Sequence, residues 1–194
     1  MGEIKSAFEK AMEKVERLEP PTKEKRLEWS GVPKGQALAA KLLKGGATSA
    51  DLSSYGQEER PHVLRGALQV LVANIQLPQS AASEQAAKQA MDAIRMLMGS
   101  SPQANEILGR VAYVSEQYKT HGEQQRQQAF LQLKQQFQAH VQQQLQQQGA
   151  APAQPVNVEV LPEFQQEALR LKVRLDQQYE QHLEGYRQEL LALA

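Results

Sequence analysis

Apolar side chains recur at helical spacing through almost the whole chain. Ile4, Phe8, Met12, Val15 and Leu18 stand three or four apart and predict an amphipathic helix over Glu3 to Leu18, on a surface otherwise crowded with charge. Pro20-Pro21 ends it, because neither proline donates to a continuing ladder. A short helix is expected from Thr22, a good N-cap, to Trp29, with Ser30-Gly31-Val32-Pro33 as its stop. Residues 1–30 thus read as a helical arm. Beyond it, Gln36 to Lys44 turns Leu38, Leu42 and Leu43 inward and closes on Gly45-Gly46.

The run from Glu58 to Leu77 is the most apolar stretch, with Val63, Leu64, Ala67, Leu68, Leu71 and Ile75 as its stripe and Val70 and Val72 widening it. A helix apolar over most of its circumference is surrounded by others, so this one belongs at the centre of a bundle. Pro61 suits its first turn and Pro78 stops it. Ser83 to Met98 is the next helix. After it, Gly99-Ser100-Ser101-Pro102 combines a stop with an N-cap and a first-turn proline. The helix so started meets no clear breaker before Gly149 unless Gly122 is one. About 46 residues at ~1.5 Å each make a rod on the order of 70 Å, which must protrude.

Along that rod Ile107, Val111, Val114 and Tyr118 form one apolar face, Lys119 to Gln128 has no aliphatic or aromatic side chain, and Phe130, Leu133, Phe137, Val141 and Leu145 form another face. From Gln124 to Gln148, 14 of 25 residues are glutamine, which reads as a solvated coiled coil, with a disordered or aggregation-prone tract as the competing reading. Gly149 to Val158 is a linker. The last helix, from Glu163, carries Ala168, Leu171, Leu175, Tyr179, His182, Tyr186, Leu190 and Leu193 in an eleven-residue repeat of about 3.67 residues per turn. Folded back antiparallel, it sets Phe137 beside Arg174 and Leu175, and Phe130 near Gln181 and His182. Tyr186 and Leu190 then face the apolar-poor stretch 119–128. The expectation is that a further helix covers them, either the arm through Phe8, Met12 and Val15 or a second copy; a fraying terminus is the alternative.

The fold class expected is therefore all-α: an arm (1–30), a compact bundle (31–118) and a projecting antiparallel coiled-coil hairpin (119–194) with its linker at 149–162. Charge changes little in this picture. The chain's 194 residues include 22 basic and 22 acidic side chains, and no stretch has a marked excess of either, which argues against nucleic acid as partner. There is no cysteine for a disulfide, thiolate or zinc site, and no apolar run long enough for a membrane span or a signal peptide.

Candidate chemistry is sparse. His62, His121, His140 and His182 are scattered, and no acid supplies metal-site spacing; no metal and no cofactor is expected. Gly45-Gly46-Ala47-Thr48-Ser49 lacks the lysine and the glycine spacing of a phosphate loop. Asp51, Glu58 and Glu59 are the acids of the loop region, and an enzyme using that loop would need them to converge. Met1-Gly2 fits a loose myristoylation pattern but reads better as ordinary helix. Trp29 reads as an anchor over the bundle's end or, if exposed, as an interface residue.

The start Gly2-Glu3-Ile4-Lys5-Ser6-Ala7 with Ala11-Met12-Glu13-Lys14, the central Gly66-Ala67-Leu68 with Asn74-Ile75-Gln76-Leu77-Pro78, and the ending Leu175-Asp176-Gln177-Gln178-Tyr179-Glu180 with Tyr186 resemble an uncharacterised family of small bacterial helical coiled-coil proteins. The resemblance implies a bacterial, cytoplasmic setting and transfers no activity and no functional residue. The function expected is non-enzymatic: an interaction or scaffold protein binding a protein partner or itself. Phe8, Met12, Val15, Trp29, Tyr179, His182, Tyr186, Leu190 and Leu193 are its candidate contact residues. A chaperone-like holder of unstructured clients is the alternative.

Overall fold

The computed structural model describes residues 21–46, 49–99, 101–147 and 156–194. Phe8, Met12 and Val15, and with them the first helix of the arm, lie outside the described residues. What is described is all-helical: α1 (Lys23–Leu43), α2 (Ser49–Ser53), α3 (Arg60–Ala73), α4 (Ala81–Met98), α5 (Pro102–Gln117), a π-helical turn (Tyr118–Gly122), α6 (Glu123–Gln147), a 3-10 turn (Val158–Val160) and α7 (Pro162–Leu191).

The expected stop at Ser30–Pro33 is absent. Thr22 caps α1 by accepting the Lys25 N–H, and the helix runs through Pro33 to Leu43. Pro33 removes a backbone donor there, a cost of about 3 kcal/mol in an isolated helix. The compensation lies in the neighbour. α1 packs against α3 at backbone distance: a Cβ on Gly35 would stand 1.9 Å from the Val63 carbonyl oxygen, and one on Gly66 2.1 Å from that of Val32. Gly31 thus reads as a breaker in the sequence but serves, with Gly35, as the floor of a helix–helix contact, which continues into Leu38, Ala39 and Leu42, all buried.

α3 takes the central place expected of it. Val63, Ala67, Leu68 and Leu71 are wholly buried, and Pro61 sits in the first turn. The helix ends earlier than expected, at Ala73, where Asn74 turns its side-chain amide onto the Val70 carbonyl; Ile75 and Leu77 remain buried in the segment that follows. α4 opens with a reciprocal cap, Ser80 Oγ accepting the Ser83 N–H and Ser83 Oγ accepting the Ser80 N–H. It ends at Gly99, whose φ of 59° suits glycine. Ser101 and Pro102 start α5 as their types require.

Gly122 does not break the long rod, which is helical from Pro102 to Gln147. It widens into a π turn at Tyr118–Gly122 instead, and the reason is phase. At about 100° per residue, Phe130 lies roughly 120° around a regular helix from Tyr118, so the two apolar faces of the rod would look in different directions. The extra residue held in a π turn takes back about 100° and aligns them. Both faces then meet α7.

The hairpin's register differs from the expected one. Phe164, almost wholly buried, packs edge-on against both Phe130 (5.4 Å between centroids) and Phe137 (5.3 Å). Arg126 meets Asp176, and Lys134 pairs with Glu159. Val158 is buried, so residues 158–161 descend alongside α6 before α7 begins. α7 is thereby slid about three turns toward the bundle relative to the expectation. From Leu183 onward it consequently lies on α5 and α3, not on 119–128.

Candidate functional site

That slide decides where the predicted contact residues lie. Leu190, 1% exposed, and Leu183 are core residues together with Leu68, Leu71, Ile75 and Val111, and Tyr186 and Leu193 pack half-buried on the same core. Arg187 donates to the Ile75 carbonyl oxygen from Nε and Nη2, fixing the tail to the end of α3. The bundle itself covers the apolar residues that were expected to need a further helix, at roughly 1.5–3 kcal/mol for each large side chain. His182 is exposed, and Leu183 beside it takes the inward position that the stripe assigned to the histidine. Trp29 is 64% exposed on α1, as an interface residue would be, not an anchor over the bundle's end.

Tyr179 belongs to a polar cluster at the junction of bundle and hairpin, which the sequence reading missed. At its centre is Asp176, buried on α7. Its Oδ1 accepts from the Tyr118 hydroxyl (3.0 Å) and Arg126 Nη1 (3.4 Å), and its Oδ2 from Lys172 Nζ (2.7 Å) and Gln79 Nε2 (3.5 Å). The Arg126 guanidinium lies over the Tyr118 ring at 4.3 Å and is held by Glu123. Tyr179 stacks edge-on to Tyr118 at 5.3 Å, and its hydroxyl donates to Gln125 Oε1. A Cβ at Gly122 would press on the Tyr179 ring at 3.3 Å, so the glycine clears the ring's path. Burial, then the hydrogen bond and charge of Asp176, push the Tyr118 phenol up to about 12. With both carboxylate oxygens filled and the phenol proton held, the cluster acts as a latch between α5, α6 and α7. One signal was available in the sequence: the change of phase between Tyr118 and Phe130.

Above the latch the two hairpin helices enclose a concave groove of about 500 Å³, lined by Phe130, Ala168, Leu169, Leu171 and Leu175, with Glu123, Arg126, Gln127 and Lys172 at its polar edge. No residue of α6 is fully buried. Leu169 is 63% and Val173 47% exposed, and Leu131 and Phe130 are exposed on the facing helix.

Two of the loop acids are engaged separately by basic side chains. Glu58 pairs with Lys23, and Glu59 accepts from Lys34 and Ser30; Lys34 foremost holds the Glu59 carboxyl below its usual range. Asp51 lies on α2. Among the described residues no group of three or more potential metal-ligating side chains gathers, and no helix is long and apolar enough to cross a membrane. Neither curated proteins nor solved structures gave a match. A family model matches residues 49–192, from α2 through α7 and including the latch and both walls of the groove but not α1: the chain belongs to the family of unknown function DUF6657.

Proposed function

We propose that the protein is a non-enzymatic helical interaction protein, an adaptor that carries a protein partner on the open side of its hairpin. The observation that supports this reading is the groove between α6 and α7, whose lining includes the exposed Phe130 and Leu169, with Leu131 and Val173 exposed on the same two helices. Grooves between two fixed helices suit the apolar face of a partner helix. The walls are set by the paired phenylalanine contacts and by the latch below, which favours one defined partner over an unstructured client. The resemblance to small bacterial coiled-coil proteins supports a bacterial cytoplasmic setting.

Site-specific photo-crosslinking tests the proposal. A benzophenone side chain in place of Leu169 should capture a protein in the native host, while the same group in place of Met96, exposed on α4, should not. Equal or absent adducts at the two positions would end the proposal.

A further inference from the structure

We infer that the N-terminal segment folds back along α1 and that its apolar stripe covers Trp29. α1 is apolar on two opposite sides. Gly31, Gly35, Leu38, Ala39 and Leu42 are its buried side. Trp29, Pro33, Ala37 and Ala40 lie roughly 180° around the helix from them, and all four are exposed. Between Trp29 and Ala40 no charged side chain stands on that outward arc, since Lys34 points to its flank. The outward side of a surface helix ordinarily carries charge, and a helix apolar on both sides is covered on both. Beyond the indole, the proline and two alanines leave a shallow channel that a second helix can approach closely.

The path of the chain into α1 names the occupant. Arg26, seven residues before Pro33 and so on the same side, donates from Nε to the Pro21 carbonyl oxygen at 3.0 Å. The backbone therefore enters α1 from the outward side. Glu19 to Thr22 makes a connection of the length that joins antiparallel helices. Pairing about its centre sets Met12 beside Trp29, Phe8 beside Pro33 and Ile4 beside Ala37, so the stripe of the segment meets the outward face of α1 at each step. One residue of slip would set Met12 against Ser30 and Phe8 against Lys34. Because the segment is joined to α1 directly, its effective concentration at this face exceeds that of a second copy.

Trp29 is the chain's single tryptophan, so its fluorescence reads the contact in the full chain. Phe8→Asp should shift the emission to longer wavelength and raise acrylamide quenching several-fold, while far-UV circular dichroism still reports a folded bundle. The chain has no cysteine, so two introduced ones read the register. On oxidation Ile4→Cys should form an intramolecular disulfide with Ala37→Cys, and none with Leu169→Cys in the hairpin groove. Equal quenching in the parent and in Phe8→Asp would overturn the inference, as would a disulfide from Ile4→Cys to Leu169→Cys in preference to Ala37→Cys. Shielding of Trp29 that vanishes on dilution, with disulfide-linked dimers in place of the intramolecular bond, would also overturn it and give the face to a second copy.

Discussion

Tyr118 illustrates how one side chain can serve two elements. Its ring closes the top of the bundle core, and its hydroxyl donates to Asp176 on α7. Because the folded state raises its pKa from the ordinary 10.0 to about 12, the folded chain binds that proton more tightly than the unfolded one. The stabilisation is complete below pH 10 and is lost as the pH rises from there through about 12. Denaturant titrations across this range should therefore show Tyr118→Phe less stable by about 1.5 kcal/mol or more at neutral pH, from the lost charge-assisted hydrogen bond. The two stability curves should converge toward the alkaline end, and parallel curves would contradict the latch. Asp176 itself carried no helical-spacing signal. It lies beside the stripe of α7 and is buried only because Tyr118, Lys172, Arg126 and Gln79 converge on it from three other places in the chain and its own helix.

At the scale of elements, the α1–α3 contact depends on glycines in a way that can be measured. Gly35→Ala or Gly66→Ala forces a methyl group into the opposing backbone and should cost about 3 kcal/mol or more in equilibrium unfolding. Gly109→Ala, in open space on α5, should stabilise by about 0.5–1 kcal/mol. Equal effects at the three positions would contradict the close crossing. The same contact explains what local reading captures. Helix starts were legible where a cap is local, as at Thr22, Ser101 and Pro102, although α4 was expected only from Ser83 and its cap at Ser80 went unread; the central burial of α3 was legible from its apolar circumference. The continuation of α1 through Gly31 and Pro33 was not, because it depends on Gly66, a distant residue whose only contribution is the absence of a side chain. The hairpin's register failed for a similar reason: Val158 and Glu159 sit in a stretch that reads as linker, yet they bind back along α6 and set where α7 begins.

For the whole molecule, the slide of α7 moves the uncovered apolar surface from the chain's tail to the hairpin groove. With Leu183 and Leu190 consumed by the bundle, the motive for a covering helix at the tail disappears, and Phe130 and Leu169, which line the groove, stay exposed on the hairpin. Native-state hydrogen exchange tests this division directly. The account predicts that amides from Leu183 to Leu190 exchange as slowly as those of Val63 to Val72, while those from Gln138 to Gln147, on the helix with no fully buried residue, exchange much faster. Rapid exchange across Leu183 to Leu190 would contradict it and return the open surface to the tail.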